Sequence, residues 1–124
     1  MPELHDERFA GLMDHIAVNS EDIERDVEEY QKMGFQLETL YHDWAMMRDA
    51  RGFGVALLGP ESKHPPHLGI RIETRGALEK AAAREGREIQ EHRDGTVSFY
   101  TKGVSGNPVE VIYYPPNHDP HKTE

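Results

Sequence analysis

"HIAVNSEDIERDVEEYQKMG", residues 15–34, and "HLGIRIETRGALEKAAAREG", residues 67–86, carry the same signals in the same order. Each opens with a histidine on a short alternating run, passes into a helix-forming stretch and stops at a glycine. His15 and His67 are 52 positions apart, and so are Gly34 and Gly86. An internal repeat of this kind decides how the rest of the chain is read.

In the first copy, Ile16 and Val18 fall on one face of a strand, and His15, Ala17 and Asn19 on the other. A helix is expected near residues 20–33, with Ser20 as N-cap, an acidic first turn and a stripe of Ile23, Val27, Tyr30 and Met33. "FQLETLY", "WAMMRDA" and "FGVALLG" follow as short strands, with "DARG" turning between the last two, giving βαβββ. The second copy repeats this order: a helix near residues 75–85, then "REIQ", "TVSFYTK" and "PVEVIYY". The expected fold is α+β, with paired βαβββ modules forming a curved, cleft-containing sheet. Module 1 covers about 12–60 and module 2 about 65–114, joined by the Pro-rich "GPESKHPP". Residues 1–124 then make a single domain, with flexible tails at 1–10 and 116–124.

The totals narrow the function classes. A net charge of −9 speaks against nucleic-acid or anionic-membrane binding, both of which need basic patches. The chain has no cysteine, so disulfides, thiolate metal sites and cysteine nucleophiles are excluded. Mean hydropathy is −0.76, no run could span a bilayer, and the first residues lack an apolar targeting core. A soluble, cytoplasmic protein is expected.

Glu110 is the anomaly, a carboxylate among Val109, Val111 and Ile112 on the last strand. Left unpaired and buried it would cost several kcal/mol or take up a proton. Period-2 alternation turns Val109 and Val111 towards the helix and Glu110 towards the concave face. Ile16 and Val18, with Leu68 and Ile70, should likewise face the helices, which sends His15 and His67 to the same concave face as Glu110. Each of the three alone reads as a packed or hydrogen-bonded residue, and Glu110 could pair with an arginine such as Arg71. Together they have the composition of a 2-His-1-carboxylate triad for a divalent metal with open positions.

"DHIAV" around His15, "PPHLGIRI" around His67 and "SFYTKGVSGNPVEV" around Glu110 resemble the vicinal oxygen chelate superfamily over about residues 12–114. That superfamily includes glyoxalase I, extradiol dioxygenases, methylmalonyl-CoA epimerase, fosfomycin-resistance transferases and bleomycin-resistance proteins. The resemblance implies a metalloenzyme, with His15, His67 and Glu110 holding the ion and a second copy of the chain completing a homodimer. Glyoxalase I and the epimerase usually take a fourth ligand from the last strand of the first module. Here that position is Ala56 or Leu58, and neither can bind metal. His92, Phe99-Tyr100 and Glu110 keep the order of the extradiol signature, which implies substrate contacts from Tyr100 and His92. The signature's acidic-Pro turn is replaced by Gly103-Val104, and the further acid/base histidine has no clear counterpart beyond His64 or His42.

Extradiol-like oxygenation with Fe2+ is therefore the favoured expectation. Isomerase, lyase or transferase chemistry with Mn2+, Ni2+, Co2+ or Zn2+ is the alternative. A metal-free antibiotic-binding protein of the bleomycin-resistance type is the other alternative. Arg71 could hold an anionic substrate. Trp44, Met46 and Met47 could line an aromatic pocket, alternation sending at least one of them to the core, and Tyr113 and Tyr114 should split in the same way. His5, His118 and His121 lie in the polar ends and should titrate freely.

Overall fold

The computed structural model describes residues 11–118. The chain runs β1 (Leu12–Asn19), α1 (Ile23–Lys32), β2 (Gln36–Leu40), β3 (Trp44–Arg48) and β4 (Gly54–Leu58). It continues with β5 (His67–Arg71), α2 (Arg75–Glu85), β6 (Gln90–Glu91), β7 (Val97–Lys102) and β8 (Pro108–Tyr113). Both βαβββ units are present. They share one curled, mixed sheet of eight strands in the order β2-β3-β4-β1-β5-β8-β7-β6.

The opening strand of each unit lies parallel to its closing strand, β1 with β4 and β5 with β8. The two units meet along an antiparallel seam between β1 and β5, where Ile16 faces Leu68 and His15 faces Gly69. The seam brings the first strand of each module, and so each module's histidine, to the middle of the sheet.

Each module has its own apolar layer beneath its helix. Ile23 and Val27 of α1 pack on Ala45, Met47, Val55 and Leu57. Leu78, Ala81 and Ala82 of α2 pack on Val97, Phe99, Val109 and Val111. Leu78 and Phe99 are fully enclosed, and burying a side chain of that size contributes roughly 1.5–3 kcal/mol.

α1 covers β2–β4 and α2 covers β7 and β8, so neither helix lies over the seam. Ile16 and Leu68 were expected beneath the helices. They are instead 36% and 40% exposed on the seam's outer face, beside the more exposed Met13.

Three local expectations are corrected. Ser20 does not cap α1, because its amide still pairs with the Leu58 carbonyl at 2.8 Å and keeps it in the sheet. Asp22 caps instead, accepting from the Arg25 amide at 3.1 Å, while the Ser20 hydroxyl donates to Asp26 at 2.6 Å. Met33 leaves the apolar stripe and is exposed, since the chain turns after Lys32 and Phe35 packs on Tyr30 in its place. "REIQ" enters the sheet only at its last residue, Gln90, which pairs together with the following Glu91. Its start is occupied in ending α2, where Gly86 adopts the left-handed conformation (φ 68°) and the Arg87 amide closes onto the Ala82 carbonyl. His118 lies in a turn after β8, where its ring meets Tyr114 and the Pro115 carbonyl. Of the tails expected at 1–10 and 116–124, residues 1–10 and 119–124, with His5 and His121, lie outside the described residues.

A candidate metal centre in the cleft

The concave face encloses a cavity of about 340 Å³. Its floor is crossed by the seam, and there His15, His67 and Glu110 meet, exposed by 2%, 7% and 6%. Each arrives by strand alternation. His15 and His67 share the inner face of the seam, and Glu110 reaches it because Gly69 pairs β5 to Glu110 of β8.

Three atoms form a nearly equilateral triangle. His15 Nε2 lies 3.1 Å from His67 Nε2, and Glu110 Oε1 lies 3.2 and 3.3 Å from the two nitrogens. Ligand atoms about 2.0–2.2 Å from one divalent ion stand roughly 3.0–3.5 Å apart at adjacent corners of its coordination shell. The triangle fits that requirement without rearrangement.

The outer ring nitrogens show why a cation belongs there. His67 Nδ1–H donates to the Pro65 carbonyl at 2.6 Å, an atom that can only accept. His15 Nδ1–H donates to Asp14 Oδ2 at 2.6 Å. Both neutral imidazoles therefore present Nε2 lone pairs to each other and to a carboxylate oxygen. Three electron-rich atoms at this spacing repel one another unless a proton or a metal ion sits between them.

In the protein without metal the proton takes that place. Burial pushes the His15 imidazole down, but the hydrogen bonds and charges of Asp14 and Glu110 outweigh it and lift His15 to about 9. Burial pushes Glu110 up, and the two histidines more than reverse this, holding its carboxyl well below the usual carboxylate range. A divalent ion would replace that shared proton.

Gly69 makes the arrangement possible. A β-carbon there would lie 2.1 Å from Cε1 of His15, so the ring occupies the space above a side-chain-free position. A glycine inside "HLGIRI" is the sequence signal for such a close approach, and sequence reasoning passed over it.

Of the other residues singled out, Tyr100 and His92 both reach the cleft. The Tyr100 ring stands edge-on to His67 at 5.1 Å, and its phenol is held above the usual range by burial first and then by Glu110. His92 Nε2–H donates to the Ser98 hydroxyl at 2.6 Å, which donates onward to Glu110 Oε2 at 2.8 Å. Ser98 was not singled out from the sequence. It is completely buried two residues before Tyr100, so alternation alone would have placed it on the same face.

His64 stacks on Tyr100 at 5.4 Å, and burial holds its imidazole below the ordinary value. His42 is exposed outside the cleft, beside Glu61. Trp44 and Met46 line the cavity with Ala56 and Leu58, whereas Met47 lies under α1. Tyr114 faces the cleft and Tyr113 packs under α2. Arg71 does not meet Glu110; its guanidinium lies 4.8 Å from the centroid of the Tyr114 ring.

The curl brings the turns beyond the two edge strands together across the mouth. Arg93, in the β6–β7 turn, forms an ion pair with Asp43 of the β2–β3 turn and lies 3.7 Å over the Tyr41 ring. This clasp bounds the cavity on the side away from the seam.

Comparison with solved structures places this architecture. Methylmalonyl-CoA epimerase from Mycobacterium tuberculosis superposes with a TM-score of 0.66 at 16% identity, covering 92% of this chain and 94% of that one. Homoprotocatechuate 2,3-dioxygenase from Arthrobacter globiformis gives a TM-score of 0.66 at 17% identity, covering 90% of this chain. The fold is that of the vicinal oxygen chelate superfamily. A third match within that fold is 2,2',3-trihydroxybiphenyl 1,2-dioxygenase from Sphingomonas wittichii, with a TM-score of 0.58 at 22% identity over 82% of this chain. The chain spans about two fifths of each dioxygenase, 41% and 42% respectively. No protein-family model and no curated protein matches the sequence.

The position of β4 that corresponds to Glu110 of β8 is Ala56, which pairs with Ala17 as Glu110 pairs with Gly69. Alanine offers no ligand atom, so the group that could hold a metal ion among the described residues is His15, His67 and Glu110. No helix among the described residues is long and apolar enough to cross a membrane.

Proposed function

We propose that this protein is a metal-dependent enzyme acting on a small molecule with vicinal oxygens, with His15, His67 and Glu110 as ligands and dioxygenase-like chemistry at Fe2+. The observation that carries the reading is the buried triangle of 3.1–3.3 Å among two imidazole lone pairs and a carboxylate oxygen, opening onto a cavity. A divalent ion in this site supplies Lewis acidity for two substrate oxygens and, when it is iron, a place for dioxygen.

The chain's own residues divide the remaining work. Trp44, Met46, Ala56 and Leu58 give the cavity an apolar wall suited to a flat ring. His64, His92 and Tyr100 give the opposite wall its polar groups. Tyr100 stays a neutral donor, so its hydroxyl can hydrogen-bond a substrate oxygen held near His67. His92 is linked through Ser98 to Glu110, which sets a second group able to carry a proton beside the ligand carboxylate.

One observation favours a second reading, an isomerase acting at Mn2+, Ni2+, Co2+ or Zn2+. The epimerase matches this chain over 94% of its own length, whereas the chain covers only 42% and 41% of the two dioxygenases. Against it stands Ala56, which leaves the first module without the carboxylate or other ligand that a second base would need.

The deciding experiment is anaerobic reconstitution with Fe2+, followed by a panel of catechols with oxygen uptake and ring-cleavage absorbance recorded. Uptake that is abolished in His67→Ala and reduced in Tyr100→Phe supports the dioxygenase reading. Turnover of an acyl-CoA or a hemithioacetal with Mn2+ or Ni2+, and none of any catechol, moves the protein to the isomerase branch. Protein that takes up no divalent metal at all points to a metal-free binding protein.

A further inference from the structure

Asp14 is a carboxylate only 4% exposed, directly before a metal-facing histidine. Strict alternation would turn it to the opposite face from His15. A register shift in the β1–β5 pairing between Met13 and His15 lets both residues point inward. A buried carboxylate is costly unless its oxygens are fully engaged, and these are. Oδ2 accepts from His15 Nδ1–H at 2.6 Å and from the Tyr114 hydroxyl at 2.5 Å. Oδ1 accepts from Arg48 Nη1 at 3.1 Å.

Its clamps are themselves fixed. Arg48 also donates to the Asp14 carbonyl, to Glu38 at 3.1 Å and to the Tyr114 oxygen at 2.9 Å. The three elements holding Asp14 are thus β1, β3 and the residue after β8. An ion pair serving stability alone would be satisfied by Arg48. The additional aim of Oδ2 at His15, with a phenol locking it there, is what an orienting group requires.

We propose that Asp14, clamped by Arg48 and Tyr114, is the positioning residue of the centre, fixing His15 in tautomer, direction and donor strength towards a divalent cation. This rests on reading the cleft as a metal site. The two histidines are then unequal ligands. His67 leans on a neutral carbonyl and His15 on a carboxylate, so His15 is the stronger donor. Three donors, one of them the Arg48 guanidinium, converge on the two Asp14 oxygens, which is the setting of a carboxylate anion.

The test uses Co2+ as probe, with affinity read by chelator competition and ligand geometry by visible absorption. Asp14→Asn keeps the shape and should weaken Co2+ about 10–100-fold, as loss of an orienting partner does. Tyr114→Phe keeps the packing and the Asp14 charge and should weaken it about three- to tenfold, the worth of one ordinary hydrogen bond. In the Zn2+-loaded protein, nitrogen-edited proton spectra should show a far-downfield His15 Nδ1 proton that Asp14→Asn moves upfield while the His67 signal stays. A merely structural role would lower the melting temperature of the metal-free variants and leave the Co2+ affinity of the folded fraction and the His15 signal unchanged. That result overturns the proposal. If Asp14→Asn does not fold, Tyr114→Phe decides by the same readings. If the wild-type protein binds neither Co2+ nor Zn2+, the metal reading itself fails, which is a different result from wild-type binding that the variants retain.

Discussion

Replacing Gly69 by Ala adds one methyl group, and the structure says where it goes. It would lie 2.1 Å from Cε1, 2.3 Å from Nδ1 and 2.5 Å from Nε2 of His15. Carbon atoms in contact sit about 3.5–4.0 Å apart, so ring and methyl must separate by more than about 1 Å. The ring has little room to yield, being held at Nδ1 by Asp14 and standing 3.1 Å from His67 at Nε2. Either β5 shifts at the seam, at a cost of about 1–3 kcal/mol for overpacking, or His15 leaves the triangle. For a chain of this length that cost lowers the melting temperature by roughly 3–15 °C. Sites of this kind tolerate displacements of only about 0.5 Å, so Co2+ affinity should fall at least tenfold in either case. Differential scanning calorimetry of the metal-free protein and chelator competition with Co2+ measure the two effects separately. A Gly69→Ala protein with unchanged melting temperature and unchanged affinity would show that His15 does not lie over Gly69 and would remove the steric basis of the site.

Glu110→Gln keeps the shape and removes the charge, and should reduce Co2+ binding by at least about 100-fold while circular dichroism shows the fold intact. The metal-free protein should lose stability in alkali. His15 is lifted from 6.5 to about 9, so the contribution, roughly 3 kcal/mol, is complete below pH 6.5 and lost as pH rises through 9. The melting temperature should fall across that window, and a flat profile would contradict the shared proton. Because metal must displace that proton, Co2+ affinity should rise about tenfold per pH unit between 7 and 9. Arg93→Ala removes the clasp, and hydrogen exchange in residues 41–43 and 91–96 should quicken several-fold with α2 unaffected. Light scattering should give about twice the 14.2 kDa chain mass if a second copy covers Ile16 and Leu68, and a strictly monomeric mass would argue against the homodimer.

The two βαβββ modules were legible because both register marks, the opening histidine and the closing glycine, recur at one spacing and strand alternation then assigns faces. The convergence of His15, His67 and Glu110 followed from the same rule. Asp14 was not legible, because the register shift before His15 breaks alternation at that one residue. Ile16 and Leu68 were misplaced for a different reason: alternation gives a face, but only the packing of helices over the outer strands tells which part of that face is covered. Ser20 lost its capping role to Asp22 because a serine's preference for helix starts is weaker than one more backbone bond to β4. The Arg93–Asp43 clasp depends on how far the sheet curls, and no local pattern encodes that.

The seam also sets when a metal can act in the life of the chain. The candidate ligands come from positions 15, 67 and 110, on the first, fifth and last strands. No partly synthesised chain can assemble the set, and a first module folding early offers one imidazole to the ion. Metal therefore cannot template the early steps of folding. An ion held by these residues would enter after β8 has docked, and would then act by mass action on the finished state, slowing unfolding rather than speeding folding. A chain cut between β4 and β5 would divide the ligands between fragments, and the ion would become the reporter of whether the two halves had found each other.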